Sequence, residues 1–309
     1  MRARSASCRI PMGDRAGGHF CKLLTWALVA GTSCASLTPA GLVVVDKGAE
    51  HSCAVDKGGG SVRCWGEGNE GQLGDGLAAT SPQPVLVVGL AEVSATSAGG
   101  LHSCAVEQNG TVKCWGAGRH GQLGHGGRSA RTTPRPVPFL ADAADVSAGG
   151  SHTCVLEQRG TVQCFGWGHF GQLGHGEASS SLYPVGVKGL EGAVAVSAGG
   201  LHTCAALGDG SVFCWGWGVH GQLGSGTSMN SPVPVRVLGV TDAADVACGY
   251  EHSCALDRNG TTTCWGRGME KQLQRDDEVW RKTSRYTMLL DEAVNANVSM
   301  WVSPMGAVW

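Results

Sequence analysis

Charged side chains are scarce. Asp, Glu, Lys and Arg make up 16% of the 309 residues, with 23 Lys and Arg against 25 Asp and Glu. So low a charge density excludes a coiled coil or a long solvated helix, whose polar faces need far more. A formal net charge of −2 and a sequence pI near 6.6 leave no bulk positive field to gather nucleic acid or an anionic membrane. Long apolar runs are missing too. The stretch Leu23–Gly31 holds nine residues, too few to cross a bilayer as a helix. No segment keeps a helical period over three turns. No general base, nucleophile or carboxylate pair stands outside the chain's recurring pattern, so the chain reads as a non-enzyme with no cofactor.

Glycine, by contrast, is in excess. It accounts for 50 residues, where average usage is about 7%. That is well short of the one-in-three period of collagen, and 42% apolar residues are too many for a disordered chain. The excess belongs to a repeat. Residues 102–126 read HSCAVEQNGTVKCWGAGRHGQLGHG, residues 152–176 HTCVLEQRGTVQCFGWGHFGQLGHG and residues 202–226 HTCAALGDGSVFCWGWGVHGQLGSG. An earlier copy, 51–76, reads HSCAVDKGGGSVRCWGEGNEGQLGDG, and a fifth starts at His252. The leading residues His51, His102, His152, His202 and His252 are spaced by 51, 50, 50 and 50. The units begin near 48, 99, 149, 199 and 249 and fill residues 41–295.

Within a unit, CAVEQ-NG-TVKCW is two short β-rich runs around a glycine turn, the signal of a hairpin. A glycine-rich turn follows, then a proline-punctuated strand such as Pro134–Phe139 and an apolar run such as Ala144–Ala148. Four short strands per 50-residue unit describe the blades of an all-β propeller, which bury their faces only by stacking on one another. The strings GGxH[ST]CA and G[TS]VxCWGxGxxGQLGxG resemble the regulator-of-chromosome-condensation repeat, whose family includes a secreted β-lactamase inhibitor propeller. The resemblance covers most of the chain and implies a β-propeller. It does not choose among the exchange factors, photoreceptors, ligase modules and inhibitors of that family.

Ten of the 14 cysteines fall in five pairs: Cys53 and Cys64, Cys104 and Cys114, Cys154 and Cys164, Cys204 and Cys214, Cys254 and Cys264. If Gln108-Asn109-Gly110 is a three-residue loop with Gly110 left-handed, Glu107 faces Thr111 and Cys104 lies directly opposite Cys114. Cross-strand cysteines at such a pair are within disulfide reach. The first unit's extra residue falls in its turn, at 57–60, so Cys53 still faces Cys64. The rival is a metal. His102, Cys104 and Cys114 share one face, but no C-x2-C knuckle or fourth ligand follows the pattern. Disulfides are the expectation, metal binding is not, and reduced thiols remain the third reading.

Arg2, Arg4, Arg9, Arg15 and Lys22 precede the apolar run, and Ser33-Cys34-Ala35 follows it. That reads as a secretory signal over 1–35, cleaved after Ala35, although its basic stretch is long. Cys34 as a lipidated residue is the alternative, with a poorly matched Gly31-Thr32-Ser33 before it. Cleavage would remove Cys8, Cys21 and Cys34, leaving the five pairs and Cys248, which stands where other units have Ala98, Ala148 and Ala198. Cys248 is expected to be small, buried and unreactive. Signal and paired cysteines together place the protein outside the cell or on its surface, with the cytoplasm as the alternative.

Gly116-Ala117-Gly118-Arg119-His120-Gly121 satisfies G-x-G-x-x-G, but Gln122-Leu123-Gly124-His125-Gly126 cannot start the helix a dinucleotide site requires. Trp65, Trp115, Trp215 and Trp265, with Phe165, recur at one position, as packing between blades predicts. The plant photoreceptor of the family uses G-W-R-H-T strings. This chain has GGLHS, GGSHT, GGLHT and GYEHS instead. No unit carries the insertion through which the family's exchange factor acts.

Function is therefore sought where units differ. Within G-x-G-x-x-G these positions are Glu67, Asn69 and Glu70; Ala117, Arg119 and His120; Trp167, His169 and Phe170; Trp217, Val219 and His220. Units three and four thus set aromatics on one rim, as anchors for a protein partner or as side chains tucked between blades. Arg128, Arg131 and Arg135 form a smaller basic cluster, either steering an acidic partner or simply solvated. The fifth unit decays after Trp265, with Lys271 and Gln274 at glycine positions, although Tyr286–Ser299 still resembles Pro234–Ala247. Residues 296–309 read as a divergent sixth unit or a tail, and the propeller as open or incompletely closed. The function expected is a secreted, disulfide-stapled scaffold that binds a protein. The second reading is an intracellular guanine-nucleotide-exchange or ubiquitin-ligase-associated regulator of the same repeat family.

Overall fold

A computed structural model describes residues 42–56, 60–140, 142–268 and 286–289. The signal-like segment 1–35 with Cys34, the glycine replacements Lys271 and Gln274, and residues 290–309 lie outside them. Five four-stranded antiparallel sheets follow one another along the chain. The first blade is β1 Leu42–Lys47, β2 His51–Asp56, β3 Val62–Gly66 and β4 Ser81–Leu86. The second is β5 Val93–Ala98, β6 His102–Glu107, β7 Val112–Gly116 and β8 Arg131–Pro136. The third is β9 Ala143–Ala148, β10 His152–Glu157, β11 Val162–Gly166 and β12 Ser181–Gly186. The fourth is β13 Ala193–Ala198, β14 His202–Leu207, β15 Val212–Gly216 and β16 Ser231–Arg236. The fifth is β17 Ala243–Cys248, β18 His252–Asp257, β19 Thr261–Gly266 and β20 Tyr286–Leu289. Each blade packs on the next, and among the described residues the arc is not closed.

The hairpin register is the one the turn dictates. Glu107 N–H donates to the Thr111 carbonyl at 2.9 Å, and Gly110 takes φ +80° at the left-handed position. Counting outward from there pairs Cys104 with Cys114, and the other four units pair alike. All five pairs are disulfides, with Cα–Cα distances of 4.0–4.1 Å; every member is buried except Cys264 of blade 5, which is half-buried. One strand came out differently from its sequence reading. β8 ends at Pro136, and Phe139 lies in the turn beyond it with φ +66°. An aromatic residue gives no turn signal, so the conformation was invisible in the sequence.

The core lies between blades. Leu123, Val137 and Val112 of blade 2 meet Val146, Val155 and Phe165 of blade 3, and the same layer recurs at the other interfaces. Near the axis the blades touch backbone to backbone. Gly150 N–H donates to the Gly199 carbonyl at 3.0 Å, and a Cβ on Gly149 would stand 2.6 Å from that same oxygen. This close approach is why the repeat opens on paired glycines.

A polar hub crosses each interface. The Trp115, Trp215 and Trp265 indoles donate to the Gln72, Gln172 and Gln222 carbonyls of the preceding blade at 2.8–2.9 Å. Trp65 is only half-buried, because no preceding blade receives it among the described residues. At Gln122 the equivalent ring is Phe165, so among the described residues its carbonyl keeps only the Thr153 hydroxyl. Phe165→Trp should restore the missing bond and stabilise the chain by about 1 kcal/mol, read as a raised denaturant midpoint. A lowered midpoint would show that blade 3 has repacked around the smaller ring.

Candidate functional site

Each G-x-G-x-x-G string is a pair of consecutive tight turns with no helix after it. Gly171 N–H donates to the Gly168 carbonyl at 2.8 Å, and Gly174 N–H to the Gly171 carbonyl at 2.9 Å. The glutamine that follows fixes the turn from inside. The Gln72, Gln122, Gln172 and Gln222 amide oxygens accept the backbone N–H of Glu70, His120, Phe170 and His220 at 2.9–3.0 Å. The three x side chains therefore project from a braced turn at the equivalent place in blades 1 to 4.

On blades 2 to 4 those side chains form a continuous aromatic ribbon. His120 lies 5.6 Å from Trp167 between ring centroids, Trp167 lies 5.5 Å from Phe170 and 6.1 Å from His169. Phe170 reaches Trp217 at 6.1 Å across the next interface, and Trp217 reaches His220 at 5.0 Å. Trp167, Phe170, Trp217 and His220 are half-buried, while Arg119, His120, His169 and Val219 are exposed. The rings meet edge to face within a turn and tilted between blades, so each is supported by its neighbours while keeping a solvent-facing surface. This differs from Trp115 and Trp215, which are sealed inside the interfaces.

Ion pairs bracket the ribbon. Arg119 pairs with Glu70 at one end, and Arg267 pairs with Glu251 at the other, 3.9 Å from His220. Partial burial, then the charges of Arg128 and Arg119 and the nearby His169, push the His120 pKa down. His120 thus joins the ribbon as a neutral ring near pH 7.

The repeated histidines sit elsewhere, inside the interfaces. The Nε2 atoms of His51, His102, His152 and His202 lie 2.7–2.9 Å from the hydroxyls of Ser103, Thr153, Thr203 and Ser253 on the next blade. Each hydroxyl donates its own proton to a glutamine carbonyl, so it accepts from histidine, and Nε2 carries the proton. His202, Cys204 and Cys248 offer ligand atoms within 4.8 Å of one another. The Cys204 sulfur is committed to Cys214, however, which leaves too few donors for a four-coordinate zinc. Cys248 is half-buried, where Ala98, Ala148 and Ala198 are buried, because no further blade covers blade 5 among the described residues.

A family model described as "RCC1-like domain" matches residues 30–303. The chain belongs to the RCC1-like domain family. Human WBSCR16 superposes with a TM-score of 0.71 at 22% identity, over 80% of this chain and 67% of that one. Prp20p from Saccharomyces cerevisiae gives 0.70 at 22%, over 80% of this chain and 63% of its own. The same yeast protein bound to Kap60 gives 0.65. At that identity the likeness shows the RCC1 propeller fold alone, and the chain spans about two thirds of these relatives' length. No curated protein sequence matches the chain.

Proposed function

We propose that this RCC1-like propeller is a non-catalytic scaffold that binds a protein partner through its aromatic rim, and that it works secreted or at the cell surface. The observation that carries the reading is the ribbon from His120 to His220, in which braced turns hold aromatic rings half in solvent. Side chains of this type dominate protein interfaces because they cover much apolar area while losing little rotamer freedom. Packing between blades does not require them, since the interior ring of each interface is supplied by a different residue, such as Phe165 or Trp215. The five disulfides support an oxidising compartment.

The test is affinity capture with the intact chain, followed by titration of the recovered partner against Trp167→Ala, Phe170→Ala and Trp217→Ala. Anchors of this kind cost at least about 2 kcal/mol each on truncation, or roughly thirtyfold in Kd. Unchanged affinity in three variants that remain folded would sink the rim. The intracellular-regulator reading draws on the yeast relative, whose structure is described with its binding properties to Gsp1p and histones. Reduced cysteines in the native protein would favour it.

A further inference from the structure

Blade 2 breaks the repeat at three places along its outer edge, and the fold explains none of them. Arg131 pairs across from Gly116, where the sister blades place Ser81, Ser181 and Ser231 opposite the equivalent glycine. Arg135 pairs across from Cys114, where Val85, Val185 and Val235 pack on the core. Phe139 takes φ +66° where Gly89, Gly189 and Gly239 take +78°, +68° and +71°. A phenylalanine held left-handed is strained, and it persists only where something else over-determines it. Burial does not, since its side chain is 79% exposed.

The three departures lie along one edge, on β8 and in the turn that follows it. Phe139 stacks edge-on against Tyr183 of blade 3, with ring centroids 5.8 Å apart, and Tyr183 is itself exposed. Gly126 lies against that tyrosine, so closely that a Cβ there would stand 2.1 Å from the phenol oxygen. Next to it, His125 bonds the Arg135 carbonyl at 2.9 Å. Burial and, after it, the Arg131 and Arg135 charges push His125 toward its neutral form, against the pull of that bond. Arg131 and Arg135 are exposed, and among the described residues no carboxylate lies within ion-pair distance of either.

We infer that the outer edge of blade 2 is a second docking surface, for an acidic peptide segment that carries an apolar side chain. Arg131 and Arg135 offer two unpaired forks for carboxylates, and Phe139 with Tyr183 offers an aromatic seat beside them. Addition of a β-strand to the edge is disfavoured, because Pro134 and Pro136 remove N–H donors from β8. The segment is therefore held by side chains. A nucleic acid fits the patch poorly, since polyanion binding draws on many phosphate contacts and the chain's net charge is −2.

The test titrates the intact chain into a labelled peptide of about 12 residues, with Asp and Glu flanking a central Leu, and reads fluorescence anisotropy. A copy with Gln and Asn in place of the acids is the control. Arg131→Ser with Arg135→Val, and separately Phe139→Gly, install the residues of the sister blades, so these variants keep the fold. The acidic peptide should bind at least about tenfold tighter than its neutral copy, and each variant should lose roughly that factor. Trp167→Ala should leave this binding unchanged, which separates the surface from the rim. Three results overturn the inference: no binding to the wild-type chain, equal binding by the variants, or equal competition from an oligonucleotide of the same charge.

Discussion

Acidification from pH 7 to pH 5 should remove most of the chain's folding stability. Four histidines lie neutral between the blades, and burial holds His51 and His152 at a pKa of about 4 and His102 and His202 at about 3. At His102 and His202 the flanking histidines push the same way after burial. Nε2 is engaged with a hydroxyl, and Nδ1 is buried without a hydrogen-bond partner among the described residues, so an added proton would bring a poorly compensated charge into the interface. In the unfolded chain each histidine titrates near its ordinary value of 6.5. Above that pH neither state takes the proton, and the contribution is complete. Below it the unfolded chain binds protons that the native chain refuses, and stability falls until the pH reaches the folded values.

A pKa unit is worth about 1.4 kcal/mol. At pH 5 each histidine therefore costs about 2 kcal/mol, and the four together approach the entire stability of an ordinary domain. Denaturant unfolding at the two pH values measures this directly. His152→Gln should destabilise the chain at pH 7 yet flatten its pH slope by one histidine's share. Equal midpoints at pH 7 and pH 5 would mean that the interfaces tolerate the charged ring.

Loss of the five disulfides should be the other large effect. Each closes a hairpin with a sequence separation of 10 or 11, a loop for which the chain-entropy model gives about 2–3 kcal/mol. In blades 1 to 4 both cysteines of each pair are buried, so reductant reaches those four disulfides only as blades open, and their reduction in the native chain should be slow and should accelerate with denaturant. Cys154→Ala with Cys164→Ala removes one staple while leaving its neighbours, and should lower the melting temperature by roughly 5–10 °C. Peptide mapping without reductant identifies the pairs. Free thiols at these ten positions in the native protein would contradict the stapled propeller and weaken the extracellular reading with it.

Much of this architecture was legible in one dimension. The 50-residue period, the hairpin around Asn109-Gly110 and the opposition of Cys104 and Cys114 follow from turn chemistry and strand alternation, which are local rules. The rim aromatics were legible as positions, since they fall at variable places in a constant turn. Their mutual stacking was not, because it joins His120, Trp167, Phe170 and Trp217 across interfaces with no sequence signal of their own. The role of His102 also lay beyond the sequence, since its partner Thr153 is 51 residues away on the next blade.

The sequence by itself determined the all-β repeat, the hairpin register and the family, because those rest on residues near one another along the chain. Low charge and the lack of any long helical period left no helical fold in competition, and a recurring glycine pattern set the turns. Only the tertiary structure decided how blades meet: which rings are sealed, which histidines are denied a proton, and that Phe139 sits strained on an exposed edge. Those outcomes depend on contacts about 50 residues apart, made after the blades stack, and a periodic sequence looks the same on either side of every such contact.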